Sequence, residues 1–439
     1  MSNSFRRILA WATALLICIS PLPFPALATD TTSEETVASE DIPIETPPEE
    51  TISGETVPDE SLPTESVPEE TVPEETVPEE SLPEAAPAAI TPEPAPPGPG
   101  LFFGLLHSHS SISEGTSAPE DLFRSAAEKD NMDFFAVTDL SDSFDGQSTA
   151  DIHSDATAAS TDWATGKAAA ANVTARDFVG IFGYEMGWPD RMDLGHISTF
   201  ATPGFLSPAQ EDYRHYATAL PNYYDAVASV SGSVSQFNHP QTGRTNFQNF
   251  AYDIDADRVI SLLEVDLSAA NPLRFYVQAL DAGWHLAPTA AQSIYSSSWR
   301  DNGTRTAVYA ETLTEEGLVD ALRLCRVYAT QDRDLQIQYT MDGYFMGSRP
   351  DHRHVGSTMD ISLTVSDATD GAACYVEVIT GGGRIAASGE ASAGRADFSI
   401  PTASGYWFLT ITQPDGDIAV TAPVWVDGAE ELGITALTC

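Results

Sequence analysis

From residue 101 onward the chain is written as short apolar runs that repeatedly close on a residue able to hold a metal or a proton. Leu101-Phe-Phe-Gly-Leu-Leu106 closes on His107-Ser-His109, and Phe134-Phe-Ala-Val137 closes on Thr138-Asp139. Phe178-Val-Gly-Ile-Phe-Gly-Tyr184 ends at Glu185, Val234-Ser-Gln-Phe-Asn238 at His239-Pro240, and Val259-Ile-Ser-Leu-Leu263 at Glu264. Apolar runs of this length between polar segments predict buried strands. Helical patterns fall between them. Ser117-Ala-Pro-Glu120 reads as a capping box ahead of the stripe Leu122, Phe123, Ala126 and Ala127, and further helices are expected near Trp163–Ala171 and Tyr223–Val230. Strand, helix, strand at this spacing predicts parallel units with crossovers. His196-Ile-Ser-Thr-Phe200, the segment Trp284–Pro288, Thr306–Ala310, a helix over Glu315–Cys325 and the strand Val327–Thr330 continue the alternation.

In parallel barrels the carboxyl ends of strands converge on one mouth, where such enzymes place their chemistry. His107, His109, Asp139, Glu185, His239 and Glu264 all fall at such ends. Two histidines one residue apart on a strand share a face. Alone, that pair serves equally as a chelate or as hydrogen-bonded loop histidines; its recurrence with ligand-type residues downstream favours the chelate. Glu264 and Asp139 have a second reading as caps of the helices that follow them. His196 taken alone reads as a satisfied core histidine.

After Asp332 the pattern changes to short alternating strands separated by Gly, Asp and Ser, including Met359–Val365, Ala373–Ile379, Ala396–Ile400, Trp407–Thr412 and Ile418–Trp425. That predicts an antiparallel β-sandwich of roughly a hundred residues. The expected fold is therefore α/β, a barrel over 101–333 followed by a small β-sandwich over 334–439.

The first hundred residues differ in kind. Arg6-Arg7, the apolar stretch Ile8–Ile19 and the small residues around Ala26-Leu27-Ala28 predict a signal peptide over 1–28, hence an exported chain, secreted or cell-surface associated, without a membrane-spanning segment once processed. Residues 29–100 hold twenty Asp or Glu, no Lys or Arg and no aromatic residue, with repeated Thr-Val-Pro-Glu-Glu pentads. Such a segment cannot bury a core and is expected to be a disordered, extended linker. The remainder carries eighteen Lys and Arg against far more Asp and Glu. An acidic field of that size excludes nucleic acid and anionic lipid as partners and favours divalent cations. Three cysteines, Cys325, Cys374 and Cys439, remain after processing, an odd number that argues against a disulfide framework.

Laid out in order, His107-x-His109, Thr138-Asp139, Tyr184-Glu185, Gly195-His196 and His239-Pro240 resemble the PHP (polymerase and histidinol phosphatase) superfamily, most closely its CehA/McbA-like metallohydrolase branch. The resemblance covers Leu101 to Asp332, with support from Gly283–Thr289, Arg305–Ala310, Arg326–Thr330 and Met346-Gly347. It implies a distorted seven-stranded β/α barrel with metals at its mouth, hydrolysing phosphoester, carbamate or related bonds, and an appended β-domain as companion. It also implies that His107 and His109 hold a first metal, that Glu185 bridges to a second, and that His196 and His239 complete the second. Imidazole with carboxylate suits Zn, Mn or Fe. The resemblance makes Glu185 and Asp139 the expected catalytic carboxylates.

The chain departs from the family pattern at Leu140, where a histidine is usual, at Ser293-Ile-Tyr295, where an Asp-x-His pair is usual, and near Gly115, where three-metal members have a further histidine. The third metal site is thus expected to be missing as a unit, and Asp139 is left to compensate for Ser293 as a ligand or by orienting one. Arg244, Arg305 and Arg326 are candidates for an anionic substrate or for pairing with carboxylates; Tyr295 and His285 are candidates for a proton donor. His352 and His354 read as loop residues. Two function classes follow: an exported two-metal hydrolase acting on a small-molecule phosphoester or related bond, or a degenerate barrel that binds a ligand or a cell surface, with contact through the linker or β-sandwich. A third reading, carbohydrate attachment, rests on Tyr406 and Trp407 as exposed aromatics.

Overall fold

The computed structural model describes residues 100–188, 194–241, 244–350, 357–369 and 371–426. The expected signal peptide, the linker up to residue 99, His352, His354 and Cys439 lie outside the described residues. No helix among the described residues is long and apolar enough to cross a membrane.

The first half builds a mixed sheet. Its strands are β1 (Gly100–Leu105), β2 (Phe134–Leu140), β3 (Val179–Met186), β4 (His196–Phe200), β5 (Val234–Asn238), β6 (Ile260–Val265) and β7 (Ala287–Ala290), hydrogen-bonded in that order. β1 to β3 are parallel, β4 runs antiparallel to both of its neighbours, and β5 to β7 are parallel again. β3 is buried at all eight positions and β2 at six of seven, the burial expected where a sheet is covered on both faces. β8 (Arg305–Ala310) and β9 (Val327–Thr330) extend the other edge, β8 antiparallel to β1 and β9 antiparallel to β8. The two ends of this array meet. Ser108, just past β1, bridges Ile294, just past β7, and the Ala290 amide donates to Thr306 Oγ1 at 2.9 Å.

Helices Pro119–Ala127, Thr161–Val173, Tyr216–Ala228, Arg274–Asp281 and Glu315–Arg323 lie between strands. The first does not use the expected capping box. Its N-cap is Ala118, without a side-chain bond, because Ser117 Oγ accepts from the Ser297 amide at 2.9 Å instead. Helix Thr161–Val173 has a true cap, Ser160 Oγ accepting from Trp163 N at 3.1 Å. Helix Glu315–Arg323 stops short of Cys325, which sits past its end at φ +53° with its thiol buried, so the expected helix is two residues too long.

The C-terminal residues divide between two sheets. β10 (Gln336–Met341), β11 (Tyr344–Phe345), β12 (Thr358–Ser366) and β15 (Arg395–Pro401) form a four-stranded antiparallel sheet; alternate residues of β12, from Met359 to Val365, are buried. β13 (Cys374–Thr380), β14 (Arg384–Ala391), β16 (Gly405–Thr412) and β17 (Ile418–Thr421) continue the long sheet through β17–β9 pairing, and β18 (Val424–Val426) pairs with β16. Tyr406 and Trp407 are not exposed aromatics. They are 6% and 4% exposed, and Tyr406 Oη donates to Asp281 at 2.7 Å, which removes the basis for carbohydrate attachment through them.

Candidate metal centre

Glu185 sits near the end of β3, 1% exposed, and four imidazoles surround its carboxylate. Oε1 lies 3.4 Å from His107 Nε2, 3.3 Å from His196 Nδ1 and 3.6 Å from His239 Nε2, while Oε2 lies 3.3 Å from His109 Nε2. His107 and His109 approach Nε2 to Nε2 at 3.1 Å. His196 begins its strand, whereas the others follow theirs. Because β4 is antiparallel, its amino end lies beside the carboxyl end of β3, which delivers His196 to the same mouth. The chain places His239 there at a cost: its φ of +27° is strained for a side-chain-bearing residue, held by its amide donating to Glu264 Oε2 at 2.8 Å.

Two ligand atoms on a tetrahedral cation with bonds of about 2.1 Å stand about 3.4 Å apart, and these separations are of that size. The atoms of His107, Glu185 and His239 can converge on one ion. A donor set of imidazoles and one carboxylate fits Zn, Mn or Fe and is poor for Mg or Ca.

The electrostatics divide the histidines. Burial alone would lower the His107 imidazole, but Glu264 and Glu185 outweigh it and raise its pKa to about 10. His109 goes the other way: burial lowers it to about 4, with Glu185 only partly opposing. Burial works against ionisation of Glu185 and Glu264, yet His107 and their other partners hold both carboxyls below the ordinary range. The free centre at neutral pH therefore carries a proton on His107 that a cation must displace. Metal affinity should rise with pH, by about tenfold per unit between about pH 6 and 9, below His107's raised value. Calorimetry in buffers of different ionisation enthalpy should read about one proton released on this account; a pH-independent affinity would contradict it.

A layer of groups behind the ligands fixes their direction. Glu264 lies 3.2 Å from His107 Nδ1, turning Nε2 toward Glu185. Asn238 Nδ2 donates to Glu185 Oε1 at 2.7 Å, and behind it Gln236 donates to Asn238 at 2.8 Å and Thr289 to Gln236 at 2.8 Å. Asn238 was not foreseen from the sequence, and Glu264 was expected at the mouth but not as the partner of His107. Their signal was polar residues at alternate positions of β5, and an acid closing β6, in otherwise apolar runs.

Asp139 does not reach the imidazoles as a ligand. Its carboxylate accepts from Ser110 N, Ser110 Oγ and Ser113 Oγ, each at 2.6 Å, and Ser113 Oγ stands 3.3 Å from His109 Nδ1. Asp139 thus reaches His109 only through Ser113. Tyr295 is at the mouth, stacked on His109 with centroids 4.9 Å apart, and Ser293 Oγ is 3.3 Å from His107 Nδ1. His109, Glu114, Leu140, Glu185, His196, His239, Ser293 and Tyr295 line a cavity of about 290 Å³. Glu114 is a mouth residue that the sequence gave no reason to choose.

Two candidates are corrected. Arg305 is fully buried, its guanidinium donating to Asp301, to Thr304 O and to the carbonyls of Asp130 and Asn131, so no donor is left for a substrate. His285 precedes β7, at the end of that strand away from Ala290 and the mouth, and pairs with Asp257 Oδ2 at 2.7 Å. Arg244 is exposed beyond β5 and does not line the cavity. At Gly115 a Cβ would run into the His109 carbonyl oxygen, so a side chain, histidine included, has no room without moving the backbone.

No family model matches the chain and no curated protein sequence is similar to it. Among solved structures it is similar to a two-domain protein from Bacteroides vulgatus ATCC 8482, described as containing a predicted PHP-like metal-dependent phosphoesterase, with 14% identity and a TM-score of 0.37 over 74% of this chain and 96% of that one.

Proposed function

We propose that the chain is an exported metal-dependent hydrolase of the PHP type, nearest in ligand pattern to the CehA/McbA-like branch, cleaving a phosphoester or related ester or carbamate bond. The observation that carries this reading is the single buried carboxylate with four imidazoles around it at 3.3 to 3.6 Å. His107 and His109 with Glu185 would hold one divalent cation, and Glu185, His196 and His239 a second. Bound there, such cations supply Lewis-acid polarisation and make water a nucleophile at neutral pH. The same reading takes the array β1 to β7, whose ends meet at Ser108–Ile294, as a distorted seven-stranded barrel. It takes the C-terminal strands as a small sandwich, supported by the one-sided burial of β12.

The chain's own groups then divide the work. Glu264, Asn238 and the Asp139–Ser113 pair hold the ligands in direction. Tyr295 faces the mouth; burial raises its phenol pKa, so it stays protonated at neutral pH and can donate to a leaving group. Tyr295→Phe should lower kcat by at least about 100-fold with metal content unchanged, read by steady-state kinetics beside elemental analysis; an unaltered kcat removes Tyr295 from the chemistry.

Elemental analysis together with turnover of phosphoester, ester and carbamate panels tests the proposal. Two equivalents of Zn, Mn or Fe with hydrolysis of one panel supports it. Leu140 and Tyr295, where the family pattern has ligands, line the same cavity and favour a second reading, a metal-holding barrel that binds without turning over. Stoichiometric metal with no hydrolysis on any panel would select that one.

A further inference from the structure

A second cleft opens beside the metal centre. Its volume is about 630 Å³ against about 290 Å³ for the mouth cavity, and His239, Gln241 and Ser293 line both, so the two adjoin. Strand direction explains the position. β5, β6 and β7 are parallel, so the segments leaving their carboxyl ends, with Gln241, residues of 266–272 and residues of 291–293, gather on the face that carries His239. The first turn of helix Arg274–Asp281 supplies a further wall through Phe275.

The buried polar groups along this cleft are occupied within the protein, and so is one at its surface. Glu264 is engaged by His107 Nδ1 at 3.2 Å and by the His239 amide at 2.8 Å. Tyr276 donates its hydroxyl to the Leu286 carbonyl at 2.9 Å. Asp266 Oδ1 accepts from the Ser268 amide at 3.0 Å and from its hydroxyl at 2.6 Å. Gln241, Asn271, Arg274 and Ser293 are exposed to water. The walls between are hydrocarbon: Leu263, Val265, Ala269, Ala270, Pro272 and Phe275. The Arg274 guanidinium stands 5.1 Å from the Phe275 ring centre and braces that ring. A hydrated group pressed against such walls gives up water partners and finds none in return, whereas an apolar group gains by leaving water.

We propose that this cleft is the subsite that selects the substrate, seating an apolar, alkyl-type group attached to the bond that reacts at the histidine centre. The inference rests on the hydrolase reading for the reacting bond and adds the kind of organic group beside it. Phe275 and Ala270 then determine specificity without belonging to the metal centre, since neither lines the mouth cavity.

Alkylphosphonates, which carry no hydrolysable ester, separate the two questions: the head group reports on the metal centre and the chain on the cleft. With the full chain loaded with Zn²⁺, calorimetry should show affinity rising about fourfold for each methylene from methyl- to butylphosphonate, the worth of a buried CH₂. Ala270→Trp, at an exposed position, fills the cleft and should flatten the series, with methylphosphonate affinity and Zn content at parental values. Phe275→Ala, which removes a wall, should reduce the increment to about twofold per methylene. A series already flat in the parent overturns the subsite and leaves the metal centre standing. So does the full increment retained in both variants. A Zn-loaded parent that holds no phosphonate at all counts against the hydrolase reading, and the subsite falls with it.

Discussion

Glu185→Gln should abolish metal binding at the histidine centre and lower kcat/KM by at least about a thousandfold, about 4 kcal/mol of transition-state stabilisation. The size follows from position. Each of the four imidazoles has its nearest carboxylate oxygen on this residue or is shared with Glu264, so no neighbour can replace its charge among them. The substitution is nearly isosteric. The glutamine carbonyl oxygen can still accept from Asn238 Nδ2, now 2.7 Å from Oε1, so the strand ends keep their geometry. The glutamine amide, by contrast, puts hydrogens where His109 Nε2 would share a cation, which turns a ligand position into a repelling one. Elemental analysis and the metal-dependent part of Tm read the result directly. The metal-free Tm should change little, since Glu264, 3.2 Å from His107 Nδ1, remains to pair with that imidazole and leaves no buried charge alone. A variant that still binds two equivalents of metal and hydrolyses substrate at the parental rate would remove Glu185, and with it the proposed centre.

Much of the strand framework was legible because burial leaves a one-dimensional trace. β2 and β3 are covered on both faces, so their runs are apolar without alternation, and β12 is covered on one, so its run alternates. The positions of His107, His109, Glu185 and His239 could be expected at strand ends for the same reason. Pattern alone did not place His196, which entered only through the family resemblance, since a histidine opening a strand joins them only if that strand is antiparallel, and direction is a property of pairing rather than of sequence. Direction at the ångström scale was also hidden. Asp139 and Glu264 read alike as acids closing runs, yet one accepts from two serines and the other turns His107. The continuity of the long sheet through β9 and β17 joins residues some ninety positions apart, Thr330 with Ala419, which no local period encodes. Ser117 shows the same limit. A capping-box pattern was present, and a tertiary partner, Ser297, took the hydroxyl.

Arg305→Met should destabilise the chain by about 3 to 5 kcal/mol, a fall in Tm on the order of 5 to 10 °C, while kcat and KM of the folded fraction stay at parental values. Nη1 and Nη2 each donate to Asp301 at 2.8 Å, a two-pronged match of planar groups, and Nε, Nη1 and Nη2 also cap the carbonyls of Asn131, Thr304 and Asp130. Methionine fills the volume and leaves those acceptors and the Asp301 carboxylate without their donors, which is the costly way to break a buried pair. Lysine should rescue only in part, because one ammonium cannot reach the acceptors that a flat fork reaches together. The pH dependence carries the same signature. Burial opposes ionisation of Asp301, but Arg305 and its other partners hold the carboxyl below its ordinary value, so the pair's contribution is complete at neutral pH and is lost only as acid titrates the group, below about pH 4. Thermal melts of parent and variant should therefore converge as pH falls into that range. A variant with parental Tm and a raised KM would instead return Arg305 to the substrate, against the placement of its guanidinium among four acceptor residues that take all its donors.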